Sequence, residues 1–293
     1  MLKRIQAGDL MVAYFESGPS EGTPVFLLHG FPYDVHAYDQ VAPLLVSEGY
    51  RVIVPYLRGY GPTRFLSPDT LRSGQQAVLG HDLLSLMDAL GIRKAVLAGF
   101  DWGGRAACIS AALWPERVHG LVSVGGYNIQ DIPDSVNPVE PEDEYRYWYQ
   151  YYFHGERGRA GLDQNRREFC RLLWRLWSPA WEFTDEEYNR SAASFDNPDF
   201  VDVVIHSYRH RFGQVPGDPA VEETETLLTK QPKISVPSVV LDGDNDGVAP
   251  SGGSIHHRPF FTGEYEHRVI PGVGHNPPQE APHDFAAAVL AFI

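Results

Sequence analysis

Basic residues are scarce in this 293-residue chain: 24 Lys and Arg face 38 Asp and Glu, for a formal charge of −14. That balance argues against nucleic acid or an anionic membrane as partner. It says little about small substrates, because a pocket can differ from the average surface. Long hydrophobic runs are also missing. No segment offers the roughly 20 apolar residues that span a bilayer, and Met1–Asp9 has no apolar core of signal-peptide length. Cysteine is nearly absent. Cys108 and Cys170 stand in helix-like segments without metal-ligand spacing, which points to buried thiols in a reducing cytoplasm. No internal repeat and no long low-complexity segment occurs. What remains is ordinary apolar content on a chain long enough for one α/β domain with an insertion, or two small domains.

The patterning favours the first. Leu10 to Glu16 and Pro24 to Leu28 read as strands separated by a turn-rich stretch, Ser17 to Gly22. A helical pattern covers about Ala37 to Glu48, a strand Arg51 to Pro55, and a long amphipathic helix about Gln75 to Leu90, ended by Gly91. Strands at Ala95 to Ala98 and Val118 to Val124 flank a helix from Trp102 to Leu113 that Pro115 ends. Strands alternating with helices predict a mostly parallel sheet covered by helices on both faces. From about Asn128 to Gln231 the strands vanish, and prolines, acids and an aromatic run, Tyr145 to Phe153, take their place. Helical pieces hold Phe169 to Trp177 and Phe200 to Phe212. Strands resume at Val236 to Leu241 and Glu266 to Ile270, before a final helix from about His283. The expected organisation is an α/β core from residues 1–128 and 232–293, with a helical cap at 129–231.

Three stretches carry chemistry. Gly99-Phe100-Asp101-Trp102-Gly103 joins a buried strand to a helix, with a glycine two positions to either side of Asp101. An Asp there commonly caps a helix. It also occupies the middle of the Gly-x-nucleophile-x-Gly elbow, where a sharp turn lifts one side chain above the sheet edge. Leu241-Asp242-Gly243-Asp244-Asn245-Asp246 leaves a later strand and offers three carboxylates. Asp246 lies furthest past the strand end, within reach of a histidine, whereas Asp242 and Asp244 also suit the turn or a helix cap. Gly272-Val273-Gly274-His275 leaves the next strand, which singles out His275 among 12 histidines. The order nucleophile, acid, histidine is the one expected of that elbow's fold.

Taken with His29-Gly30-Phe31-Pro32 and Arg58-Gly59-Tyr60-Gly61, these motifs resemble the α/β-hydrolase superfamily, epoxide hydrolase type. The resemblance implies an α/β-hydrolase fold and an inserted cap. It also implies a triad of Asp101, His275 and Asp246, and an oxyanion hole from the backbone N–H groups of Phe31 and Trp102. It further implies a cis Phe31–Pro32 peptide and two cap tyrosines that assist ring opening. Tyr149, in Tyr149-Gln150-Tyr151-Tyr152-Phe153, is similar to the first; Tyr147, Tyr151 and Tyr152 are close enough to exchange with it. Tyr208, in Ser207-Tyr208-Arg209, is similar to the second. The implied reaction needs no cofactor or metal, and the implied substrate is a small apolar or aryl epoxide. The expected state is a monomer or homodimer.

The residue types agree with that chemistry. A serine attacking an epoxide carbon would form an ether that water does not cleave under mild conditions, whereas a carboxylate forms a hydrolysable ester. Haloalkane dehalogenases resemble the chain in Trp102 after the nucleophile, but Phe31 cannot supply their second side-chain donor. Fluoroacetate-type dehalogenases share His-Gly-Phe-Pro. Of their substrate-binding arginines only Arg105 remains here, and Tyr149-Gln150 stands where they carry His-Trp. A non-catalytic ligand-binding scaffold is a further alternative on this fold.

Overall fold

The computed structural model describes residues 1–249 and 253–292. Among the described residues nine strands form one sheet: β1 (Leu2–Ala7), β2 (Leu10–Ser17), β3 (Pro24–Leu28), β4 (Arg51–Pro55), β5 (Arg64–Phe65), β6 (Ala95–Gly99), β7 (Val118–Val124), β8 (Ser238–Gly243) and β9 (Tyr265–Ile270). Their order is β1-β2-β4-β3-β6-β7-β8-β9, with β5 beside β2. The pairs from β4 through β9 are parallel, and β2 is antiparallel to β1, β4 and β5. The central strands are short, continuous apolar runs because both faces are covered; every residue of β6 is buried. At one edge, β1 exposes Lys3 and Arg4, charges that discourage pairing with another chain.

The core helices are α1 (Val41–Ser47), α2 (Gln76–Ala89) and α3 (Asp101–Leu113). Between β7 and β8 come α4 (Pro141–Arg146), α5 (Trp148–His154), α6 (Glu156–Gln164), α7 (Arg166–Trp177), α8 (Asp185–Ala192), α9 (Phe200–His210) and α10 (Glu222–Leu228). Two short helices, α11 (Pro277–Glu280) and α12 (Pro282–Val289), follow β9. One expectation needs correction, and one strand was not anticipated. The single helix expected from Ala37 to Glu48 is a 3-10 turn, Val35–Tyr38, followed by α1. Asp34 accepts the backbone N–H of His36 and starts the tighter turn, and Pro43 falls inside α1. The residues before Gly8 form β1, whose alternation is masked by charge because only its last residue is buried.

The insert α4–α10 is tied down by polar contacts far apart in sequence. Trp174 Nε1 donates to Pro32 O at 2.8 Å, and Ser194 Oγ to Asp34 at 2.6 Å. Asn197 donates to the carbonyls of Gly61 and Thr63, and Gln75 and Gln76 both donate to Glu225. These satisfied buried groups fix the insert to the loops that follow the carboxyl ends of β3 and β4 and to the start of α2. In open parallel sheets that edge is where ligands bind.

Candidate active site

Because β3 and β6 are neighbours, the loop after each meets the other. Gly103 starts α3 so close to β3 that a Cβ there would stand 2.0 Å from Leu28 O. A Cβ on Gly30 would stand 2.4 Å from Asp101 Cβ. Both glycines are therefore required by close approach, not by flexibility. Asp101 itself has φ of 50°, a conformation that costs energy in a residue with a Cβ and collects at functional sites. Its carboxylate does not cap α3. Asp101 Oδ1 instead accepts the Phe31 N–H at 2.7 Å, across 70 residues of sequence. The Phe31–Pro32 peptide is cis. His29 holds this loop in place: its Nε2 accepts Leu57 N–H at 3.1 Å, so the ring proton sits on Nδ1, facing Gly30 O. Burial pushes His29 down to about 4, which keeps it neutral.

The other oxygen of Asp101, Oδ2, faces His275 Nε2 at 3.8 Å, and His275 Nδ1 is 2.8 Å from Asp246 Oδ2. Of the three candidate carboxylates only Asp246 reaches this histidine among the described residues. Asp242 accepts from Ser254 and lies 2.8 Å from His267 Nε2, and Asp244 accepts the N–H of Gly272. Burial alone would lower His275, but Asp246 and then Asp101 outweigh it and raise the imidazole to about 10. Burial would likewise raise Asp101, yet His275, Arg105 and the Phe31 N–H hold it below its usual range. Both carboxylates thus favour the protonated form of the imidazole.

The insert holds both loops of this pair, which no local sequence signal indicated. Trp177 O, at the end of α7, accepts from Gly247 N–H at 2.9 Å and from His275 N–H at 3.2 Å. Ser178 Oγ also accepts from His275 N–H and donates to Glu280 Oε1 at 2.6 Å. Glu280 in turn accepts the N–H groups of Gly274 and Asn276. Trp177 packs edge-on against the His275 ring at 5.0 Å.

A cavity of about 560 Å³ opens over Asp101, walled by His275, Asp246, Tyr149, Gln150, Arg105 and Arg211 among others. Tyr149 is buried, and burial raises its hydroxyl, so it stays protonated. Gln150 Nε2 donates to its Oη at 3.1 Å. Tyr147 and Tyr151 also border the cavity, but Tyr151 is exposed and donates to Glu144. Tyr208 is not part of that wall; it packs against Tyr149, with ring centroids 5.4 Å apart, and against Phe31 and Trp102. Trp102 stacks on Phe31, and its indole N–H is buried without a partner among the described residues. No group of His, Cys, Asp or Glu able to hold a metal ion occurs among the described residues.

Comparison with known proteins agrees with this architecture. A family described as alpha/beta hydrolase fold matches residues 23–282. Epoxide hydrolase A of Mycobacterium tuberculosis is 27% identical over 326 residues, covering 99% of this chain and 96% of its own length. A haloalkane dehalogenase of Psychrobacter cryohalolentis is 26% identical over 300 residues, covering 100% of this chain and 90% of its own. A crystal structure of a candidate epoxide hydrolase from Klebsiella pneumoniae is 50% identical, with a TM-score of 0.97 over 99% of this chain and 96% of that one.

Proposed function

The chain belongs to the α/β-hydrolase fold family, and we propose that it is an epoxide hydrolase, converting an epoxide to a vicinal diol through an alkyl ester on Asp101. The observation that carries this reading is the division of labour in one carboxylate. Oδ1 is held by Phe31 N–H, while Oδ2 faces the cavity and His275. Attack by Oδ2 on a ring carbon breaks the carbon–oxygen bond and leaves an alkoxide on the neighbouring carbon. Tyr149 gives the alkoxide its proton. Esterification removes the negative charge of Asp101, so the His275 imidazolium loses one of the two carboxylates that hold its proton. That proton returns to the tyrosinate through the cavity, which leaves His275 neutral and Tyr149 restored.

Neutral His275 then takes a proton from water, oriented and supported by Asp246. The resulting hydroxide attacks the ester carbonyl. Its oxygen is Oδ1, already at the Phe31 N–H and beside the start of α3, where Trp102 N–H is the second donor. Losing one such donor typically costs about 3–4 kcal/mol of transition-state stabilisation. Collapse frees the diol and returns Asp101 and the imidazolium, so the sum is epoxide plus water. The helical stretch 129–231 acts as a cap, closing the cavity over a core made of 1–128 and 232–293.

Single turnover in heavy-oxygen water tests the route. The first diol should carry an oxygen from Asp101, with solvent oxygen left on the enzyme; solvent oxygen in the first diol would rule the ester out. A halide-releasing reaction on the same nucleophile is favoured by one observation, the unpartnered indole N–H of Trp102. Styrene oxide, 1-chlorobutane and fluoroacetate compared in one assay separate the two, and the tyrosine at 149 predicts turnover of the epoxide.

A further inference from the structure

Two arginines in the cavity wall have no part in the ester route. Arg105 stands one helical turn after Asp101, on the same face of α3. Arg211 follows the last turn of α9. They are 7% and 9% exposed, and neither forms an ion pair among the described residues. Arg105 Nε donates to Asn128 O at 3.2 Å. Arg211 lies 4.3 Å over the Tyr208 ring and gives one long hydrogen bond, 3.3 Å, to Gln150 Oε1. Its Nε and Nη2 are buried with no partner among the described residues. A buried guanidinium left without a counter-charge is costly, and it is retained where something else supplies the charge. Burial and then the neighbouring Arg211 lower Arg105 to about 10, as expected of two cations sharing one wall. Asp101 lines the same cavity and acts electrostatically on Arg105, and the ester step neutralises it. Asp246 is taken up by His275. Glu144 accepts from Val139 N–H and the Tyr151 hydroxyl, and Asp131 and Asp134, at the mouth, are exposed and screened by solvent.

We propose that Arg105 and Arg211 form an anion subsite, so that the substrate is an epoxide carrying a carboxylate. The epoxide half of that statement rests on the reaction proposed above; the carboxylate half does not. A bound carboxylate compensates both guanidiniums throughout the cycle. Through Gln150, which contacts both Arg211 and Tyr149, it is also joined to the group that protonates the opened ring.

Binding of phenylacetate and of neutral phenylacetamide, measured by calorimetry at pH 7.5, tests the subsite without any turnover. The acid should bind the wild type about 10- to 100-fold more tightly than the amide, the range for hydrogen bonds to charged groups. That ratio should fall towards one in Arg105→Gln and Arg211→Gln, and Arg211→Lys, which keeps the charge, should retain part of it. A ratio near one in the wild type, or an unchanged ratio in both glutamine variants, overturns the proposal. Turnover of 3-phenylglycidate, 3-phenylglycidamide and styrene oxide keeps the two readings apart. Acid-selective binding with none of the three opened sinks the epoxide reading and leaves the subsite. Opening of styrene oxide with no preference for acid over amide sinks the subsite alone.

Discussion

Replacing Asp101 with Asn removes a charge at nearly constant shape, and so imitates the neutral ester without any substrate. His275 Nε2 lies 3.8 Å from Asp101 Oδ2. A pair of unit charges at that separation, in an effective dielectric of about 20, is worth about 4 kcal/mol, or about three pKa units. Both charges are spread over several atoms, which brings the expected shift to about two units or somewhat more. The wild-type imidazole, raised to about 10 by Asp246 and Asp101 against the effect of burial, should therefore fall to about 7–8 in Asp101→Asn. At that value it can act as a base near neutral pH. Ring-proton or ring-nitrogen NMR titration of His275 in the wild type and in Asp101→Asn measures the difference directly. The linkage has a definite sign. A histidine raised in the folded state contributes stability that is fully present below its unfolded value near 6.5, and that is lost as pH rises through about 10. The wild type should lose more stability than Asp101→Asn between pH 7 and pH 11. If His275 titrates within about half a unit in the two proteins, the charge-switch account of the second step is refuted.

Gly30→Ala would put a Cβ 2.4 Å from Asp101 Cβ and 2.6 Å from Oδ1. It should cost about 1–3 kcal/mol of stability from overpacking and about a hundredfold in kcat from misplacing the nucleophile; wild-type kcat and melting temperature would show that the contact is relieved freely. Tyr149→Phe should slow formation of the alkyl-enzyme about 10²- to 10³-fold, and Tyr208→Phe, outside the cavity wall, should slow it less. Rapid-mixing fluorescence reads both, and two unchanged rates would remove the tyrosines from ring opening. Asp34 is fully buried between the core and Ser194 of the insert, and burial raises it from 3.8 to about 6. A carboxyl raised on folding contributes stability that is present below its unfolded value and lost as pH rises through its folded one. Asp34→Asn should then be more stable than the wild type at pH 8, by on the order of 2–3 kcal/mol, with the gain vanishing below about pH 4; denaturant melts at the two values check it, and an equal gain at both would contradict the buried-charge explanation.

Much of the frame was legible from local pattern. Apolar runs of strand length gave β3, β4, β6 and β7 nearly to the residue, because central parallel strands must be apolar on both faces. β1 was not legible, since an edge strand with Lys3, Arg4 and Gln6 lacks the alternation that marks its kind. The position of Asp101 between glycines could be read equally as a cap or as an elbow. The tertiary structure separates the two, because the Phe31 N–H that binds the carboxylate lies 70 residues away.

By itself the sequence determined the order of strands and loops along the chain, and with it the order of Asp101, Asp246 and His275, because periodicity and turn chemistry act over a few residues. Only the tertiary structure decided which of Asp242, Asp244 and Asp246 meets His275, since all three leave the same strand and differ in partners 12 to 29 residues distant. It alone brought Trp177, Ser178 and Glu280 behind the histidine loop, and set Arg211 in the wall that holds Arg105. Those contacts cross from the insert to the core. They depend on how two separately patterned regions pack and on which buried polar groups find partners, and neither is written in any short window of residues.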